Sequence, residues 1–127
     1  MTEKELVDRL DGIEWDDFEV KEAKSDLPKN IWETVSAFSN TSGGWIVLGV
    51  QEEKKNSKSS YLICGVKNAE KLEQDFTGTL RSQTKFNMPI SVTAKKYSID
   101  GNVVLAFYVP SSPVKPIFLT IICPIHL

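Results

Sequence analysis

The chain has 127 residues, 41% of them hydrophobic and 25% charged, which is the composition of an ordinary globular protein and the length of one domain. Fifteen Lys and Arg against 17 Asp and Glu leave a net charge of −2, so no global field draws the chain to polyanions or anionic membrane; any nucleic-acid contact must come from a local basic patch. Two cysteines (Cys64, Cys123) and one histidine (His126) exclude a disulfide framework, a His-rich zinc site and a His-based nucleophilic triad.

Thr2 followed by Glu5 reads as a capping box that opens a short helix carrying Leu6, Val7 and Leu10, with Gly12 as its stop. Residues 17–22, DFEVKE, alternate between apolar Phe18 and Val20 and charged Asp17, Glu19 and Lys21, the pattern of a half-buried strand. Asp26 and Pro28 mark a helix start, and Ile31, Val35 and Phe38 supply an apolar stripe at i, i+4 and i+7. That helix runs into Ser39-Asn40-Thr41-Ser42-Gly43-Gly44, a sharp stop. The four apolar residues Trp45–Leu48 then predict a central strand covered on both faces.

Residues 51–60, QEEKKNSKSS, are wholly polar and read as a surface loop, after which Tyr61–Ile63 resume a strand. Asn68 is the predicted N-cap of a helix with Leu72, Phe76 and Leu80 on one face. Glu70 and Glu73 near its start and Arg81 and Lys85 near its end complement its dipole. Ile90, Val92 and Ala94 alternate as a further strand, and Asp100-Gly101 is a hairpin turn into Val103–Val109. Pro110, Pro113 and Pro116 stiffen the connection to a last apolar stretch, Ile117–Ile122. A Gly-Val pair at 49–50 and again at 65–66 is expected to end two neighbouring strands.

The order predicts a single α+β domain over 1–119, a mixed β-sheet flanked by three helices, with 120–127 an apolar tail outside it. The expected core comprises Phe18, Val20, Ile31, Val35, Phe38, Ile46, Val47, Leu48, Leu72, Phe76, Val104 and Phe107. No apolar run approaches the ~20 residues of a membrane helix, and MTEKELVDRL lacks the apolar stretch of a signal peptide. A cytoplasmic protein with no membrane partner is the expectation.

Three groups of residues could carry chemistry. The first is Glu14, Glu19 and Glu22 with Lys21. On a strand Glu19 and Lys21 share a face, whereas Glu14, at an odd offset, joins Glu19 only if the chain turns near Trp15-Asp16. Converging carboxylates hold Mg²⁺ or Mn²⁺ and support phosphodiester hydrolysis; the alternative is a solvated strand face with surface ion pairs. The second is the Gly43-Gly44 turn, whose N–H groups could cradle an anion. It follows a helix C-terminus, whose dipole repels anions, and a packed helix-to-strand reversal is the favoured reading. The third is Lys54, Lys55 and Lys58 beside Tyr61, suited to phosphate contact and base stacking, with Lys95 and Lys96 a further pair. Trp15, Trp32 and Trp45 read as core or interface residues.

Taken together, Glu14, Glu19-Val20-Lys21, Val35-Ser36-Ala37-Phe38-Ser39-Asn40-Thr41, Gly43-Gly44 and Ile46-Val47-Leu48-Gly49-Val50 resemble the Schlafen AlbA-type DNA-binding domain family. The later Gly65-Val66, the helix after Asn68, the Asp100-Gly101 hairpin and Lys115-Pro116-Ile117-Phe118-Leu119 extend the resemblance over about 14–119. It implies an AlbA-like lobe that binds DNA or structured RNA in a transcription-regulatory role. It further implies that two lobes pair, here as a homodimer.

In members with metal-dependent endoribonuclease activity, a Glu…Glu-x-Lys set and an acid after the Gly-Val strand form the active site. The resemblance carries these onto Glu14 and Glu19 as metal ligands and Lys21 as catalytic partner. Gln51 stands where the third acid belongs, with Glu52 as its substitute. The family's polar, Arg-containing strand after Lys-Pro-Ile-Phe-Leu is replaced by apolar Thr120–Leu127, which a shortened form of the domain would explain.

The leading expectation is nucleic-acid binding, with DNA favoured, through backbone contacts from Lys21, Lys54, Lys55 and Lys58 and with no cofactor. The alternative is a weak Mg²⁺- or Mn²⁺-dependent endoribonuclease, and a third is a protein-interaction module.

Overall fold

The computed structural model describes residues 1–10, 17–55, 58–82, 85–113 and 115–117. In chain order these form α1 (Glu3–Arg9), β1 (Phe18–Lys21), α2 (Ile31–Ser39), β2 (Gly44–Leu48), β3 (Val50–Lys55), β4 (Lys58–Ile63), α3 (Ala69–Arg81), β5 (Thr93–Ile99) and β6 (Asn102–Val109). Four strands make a mixed sheet in the order β1-β2-β6-β5. β1 runs parallel to β2, while β6 is antiparallel to both β2 and β5; β3 and β4 form a separate antiparallel pair. The parallel β1–β2 pair requires a crossover, and α2 supplies it.

Side-chain alternation in the central strands splits the core in two. Ile46 and Leu48 of β2 and Leu105, Phe107 and Val109 of β6 point to the face covered by α2 and α3. Val47, Val104 and Ala106 point to the other, where Leu6 of α1, Phe18, Tyr97 and Val50 close over them. A strand buried on both faces must be apolar at every position, which is why Trp45–Leu48 reads as an unbroken run. Every expected core residue is buried except Val20, half-buried against the second cluster.

The Asn68 cap forms, and of the Thr2–Glu5 capping box the Thr2 side-chain bond forms. The Thr2 hydroxyl accepts from the Glu5 N–H at 3.2 Å, and Asn68 Oδ1 accepts from the Lys71 N–H at 3.1 Å. In α3, Leu72, Phe76 and Leu80 face the sheet, and the Phe76 ring lies 4.3 Å from Phe107 and 5.6 Å from Trp32, centroid to centroid. Gly49 (φ +100°) turns the chain out of β2 into β3, and its carbonyl accepts from both Cys64 N–H and Gly65 N–H at 2.9 Å. The two Gly-Val pairs are therefore neighbours, as expected.

Two readings are corrected. Residues 51–55 and 58–60 are not a loop: the two arms, β3 and β4, pair in register from Val50↔Ile63 to Lys55↔Lys58. Among the described side chains of this hairpin, Val50, Tyr61 and Ile63 pack on the core, and the polar run 51–60 carries no hydrophobic alternation to announce a strand. The strand expected at 90–94 begins only at Thr93 and extends to Ile99. Ile90 is buried in the connection, its N–H donating to Leu80 O at 3.1 Å, and adjacent Lys95 and Lys96 on the outer strand mask the alternation. The predicted stop at Gly12, the Trp15-Asp16 turn, and 118–127 lie outside the described residues.

Candidate functional site

β1 is an outer strand of the sheet and places Glu19 and Lys21 on one face, as alternation requires. Lys21 Nζ lies 3.8 Å from Glu19 Oε1 and donates to Asn30 Oδ1 at 3.2 Å. The Lys21 side chain is only 8% exposed, against 48% for Glu19. Asn30 is the N-cap of α2 but makes no side-chain cap bond; its amide oxygen faces the lysine instead. Lys21 is thus held in place by neighbours, while Glu19 stands open to solvent.

Glu14, the other acid of the hydrolytic arrangement, lies outside the described residues. Glu22 is exposed and pairs with Lys24 at 3.4 Å, and Glu52 is exposed on β3 opposite Tyr61. Among the described residues no three His, Cys, Asp or Glu side chains come together as a metal-binding group. The described acids therefore do not by themselves assemble a three-carboxylate group.

The turn after α2 is built for packing. Gly43 N–H donates to Phe38 O at 3.0 Å, so it is not offered to an anion. A Cβ at Gly44 would sit 2.6 Å from the Phe38 ring, and one at Gly43 (φ +86°) 2.8 Å from both Tyr108 Oη and Val109 O. Asn40 and Thr41 grip the segment after β6. Asn40 Nδ2 donates to Ile117 O and Asn40 Oδ1 accepts from Ile117 N–H, each at 2.6 Å. Thr41 O accepts from Ser111 Oγ at 2.5 Å and Lys115 Nζ at 3.1 Å, and Ser39 O accepts from Ser112 N–H at 2.9 Å. These donors satisfy carbonyls at the α2 C-terminus, where a cation also suits the dipole. The role of Ser36, Ser111, Lys115 and Ile117 in this knot was missed, because nothing local ties residue 40 to residue 117.

The hairpin brings the predicted basic residues together. Its last two rungs pair Lys54 with Ser59 and Lys55 with Lys58, so three lysines occupy four positions at the tip. The next two rungs hold exposed Glu53 and Glu52, and Leu62 is 56% exposed on the arm below. Lys95 and Lys96 are exposed on β5. Trp32 stacks on Phe76 and Trp45 meets Tyr108 edge-on at 5.2 Å, so both serve packing; Trp15 lies outside the described residues. Cys64 is half-buried, its thiol 3.3 Å from Gly49 O.

Helix, sheet and Pro-rich segment knotted at an Asn-Thr-Ser-Gly-Gly turn, with a lysine-tipped ribbon projecting from the sheet, define a small α+β lobe without an assembled catalytic cluster among its described residues. The chain belongs to the family described as Schlafen, AlbA_2, which it matches over residues 14–121.

Among solved structures it is similar to the N-terminal domain of a RecG-related protein from Nitrosomonas europaea, named after ATP-dependent DNA helicases, studied by solution NMR. The TM-score is 0.78 at 28% identity, covering 94% of this chain and 80% of that one. A likeness to the DIP2311 protein from Corynebacterium diphtheriae has a TM-score of 0.47 at 25% identity and covers 80% of this chain and 19% of that one. No curated protein matches the chain. Among the described residues no helix is long and apolar enough to cross a membrane.

Proposed function

We propose that this chain binds nucleic acid through the phosphate backbone, with the β3–β4 hairpin as its contact element, in a regulatory role on DNA. The observation that carries this reading is the register that gathers Lys54, Lys55 and Lys58 at one ribbon tip. A two-stranded ribbon has the width to enter a major groove, and lysine meets phosphate as a mobile point charge. Membership of the AlbA_2 family and the helicase-derived name of the Nitrosomonas neighbour support the same class of partner. Glu52 and Glu53 one step down the ribbon, and the net charge of −2, confine the favourable contact to the tip and keep affinity modest.

Fluorescence anisotropy with labelled duplex DNA and a structured RNA, at about 50 and 200 mM salt, tests this. Three phosphate contacts predict a roughly 40-fold loss of duplex affinity over that range. Replacing all three lysines with alanine lowers the salt slope by about 2–3. Equal slopes for wild type and the triple variant refute the assignment, and no binding at low salt favours a protein-interaction module.

A homodimer would set two hairpins on one duplex and raise avidity without new contacts. Light scattering at micromolar concentration is expected to give the mass of two chains; the mass of one chain refutes pairing.

A further inference from the structure

Two adjoining cavities, of about 350 and 330 Å³, open where the segment after β4, the first turn of α3 and the β5–β6 hairpin come together. They share Val66, Lys67 and Val103 and so form one groove, with Cys64 and Gly65 at one end and Lys96 and Ser98 of β5 at the other. We infer that this groove is a second contact for the phosphodiester backbone, made at the foot of the hairpin whose tip makes the first. The inference rests on the nucleic-acid reading above but uses none of the tip lysines.

Charge selects the ligand. The chain as a whole carries −2, yet the groove gathers Lys24, Lys67 and Lys96 against one lining acid, Glu70. Lys24 is already paired with Glu22 at 3.4 Å. Lys67 and Lys96 are exposed, and neither makes an ion pair among the described residues. Alternation on β5 turns Lys96 and Ser98 to the side of α3, because Ala94 packs on the cluster beneath that helix while Tyr97 and Ile99 belong to the opposite one. A concave wall lined by one sign of charge focuses its field, and an anion between the two ammonium groups relieves their repulsion.

The lining favours a backbone over a free nucleotide, because it offers no ring on which a base could stack. Its one aromatic, Tyr97, is buried in the opposite cluster with its hydroxyl donating to Met1 O. A contact to the backbone needs only the charge. Position agrees. Gly65 N–H donates to Gly49 O where the hairpin leaves the sheet, and the six residues of β4 set that foot about 20 Å from the tip. One strand of a duplex covers that distance in about six nucleotides.

The test is the salt dependence of duplex binding by the full chain. Two contacts in the groove beside three at the tip raise the loss of affinity between about 50 and 200 mM salt from roughly 40-fold to roughly 500-fold. Lys67→Gln with Lys96→Gln, both at exposed positions, should lower the salt slope by about 2. Glu70→Gln removes the one lining acid and should tighten binding about two- to fivefold. Lys4→Gln, on α1 and outside the groove, should leave the slope unchanged. In amide NMR the duplex should move the Lys67 and Ser98 signals, and thymidine 5′-monophosphate at the same concentration should not.

An unchanged slope in the Lys67, Lys96 double variant overturns the inference; if alanine at Lys54, Lys55 and Lys58 still lowers the slope, the tip reading stands alone. A slope that falls for the groove variant and not for the tip variant refutes the tip and leaves the groove as the contact. Amide shifts that saturate with the monophosphate make the groove a nucleotide pocket and overturn the backbone assignment. A wild type that binds no duplex at low salt overturns both readings.

Discussion

Replacing Asn40 with alanine tests the central structural claim, that the turn after α2 exists to hold the segment after β6. The Asn40 amide makes a reciprocal pair with the Ile117 backbone, both bonds at 2.6 Å. Alanine removes both. The Ile117 carbonyl keeps the Ser36 hydroxyl at 3.1 Å, but its N–H loses the partner it has. One net hydrogen bond of about 1 kcal/mol at the carbonyl and one stranded donor of about 1–3 kcal/mol set the loss at about 2–4 kcal/mol if the segment stays docked.

The segment can instead come away, which limits the loss to what docking Ile117 contributes. That side chain is 2% exposed, and its burial is worth about 1.5–3 kcal/mol. The smaller figure governs, so about 1.5–3 kcal/mol is expected. Urea unfolding followed by tryptophan fluorescence measures it. With a slope of roughly 2 kcal/mol/M the midpoint drops by about 0.8–1.5 M. A detached segment also lowers the slope, because less surface remains to be exposed. A variant within about 0.5 kcal/mol of wild type, with an unchanged slope, refutes the reasoning, since that is the range of an ordinary surface substitution.

Two glycines separate packing from backbone effects. Gly44→Ala forces the Phe38 ring aside and is expected to cost about 1–3 kcal/mol, whereas Gly78→Ala, mid-helix with nothing within 4 Å of the new methyl, should stabilise by about 0.5–1 kcal/mol. Calorimetry should show melting temperatures moving in opposite directions; a shared direction refutes the assignment. Tyr97, whose hydroxyl donates to Met1 O, has its pKa raised above the usual phenol value, first by burial and then by the charge of Glu5. A raised phenol pKa favours the protonated, folded form. Its contribution is whole below about pH 10 and is lost as the unfolded chain ionises above that. Urea midpoints from pH 8 to 11 should fall more steeply for wild type than for Tyr97→Phe, and parallel curves refute the coupling.

Much of the fold was legible because its signals are local. The stripe Ile31, Val35, Phe38 and the caps at Thr2 and Asn68 each involve residues within two turns of one another, and the run at 45–48 is apolar because both faces of that strand are covered. Adjacency of Glu19 and Lys21 followed from the two-residue repeat of a strand, and their 3.8 Å separation accords with it.

The hairpin was hidden because its outer rungs pair through backbone groups, which every residue carries, and the run 51–60 offers no hydropathy pattern that would register a strand. The lysines themselves were visible in the sequence, but their meeting at one tip depends on strand register. The meaning of Asn40, Gly43 and Gly44 was likewise nonlocal. As sequence they admit an anion cradle beside the favoured packed reversal. Contacts spanning 77 residues to Ile117, and the approach of the Phe38 ring, decide for the reversal. A helical serine such as Ser39 looks unremarkable until the folded chain buries its hydroxyl with no partner among the described residues, because the cost of an unpaired polar group arises only when distant segments exclude water from it.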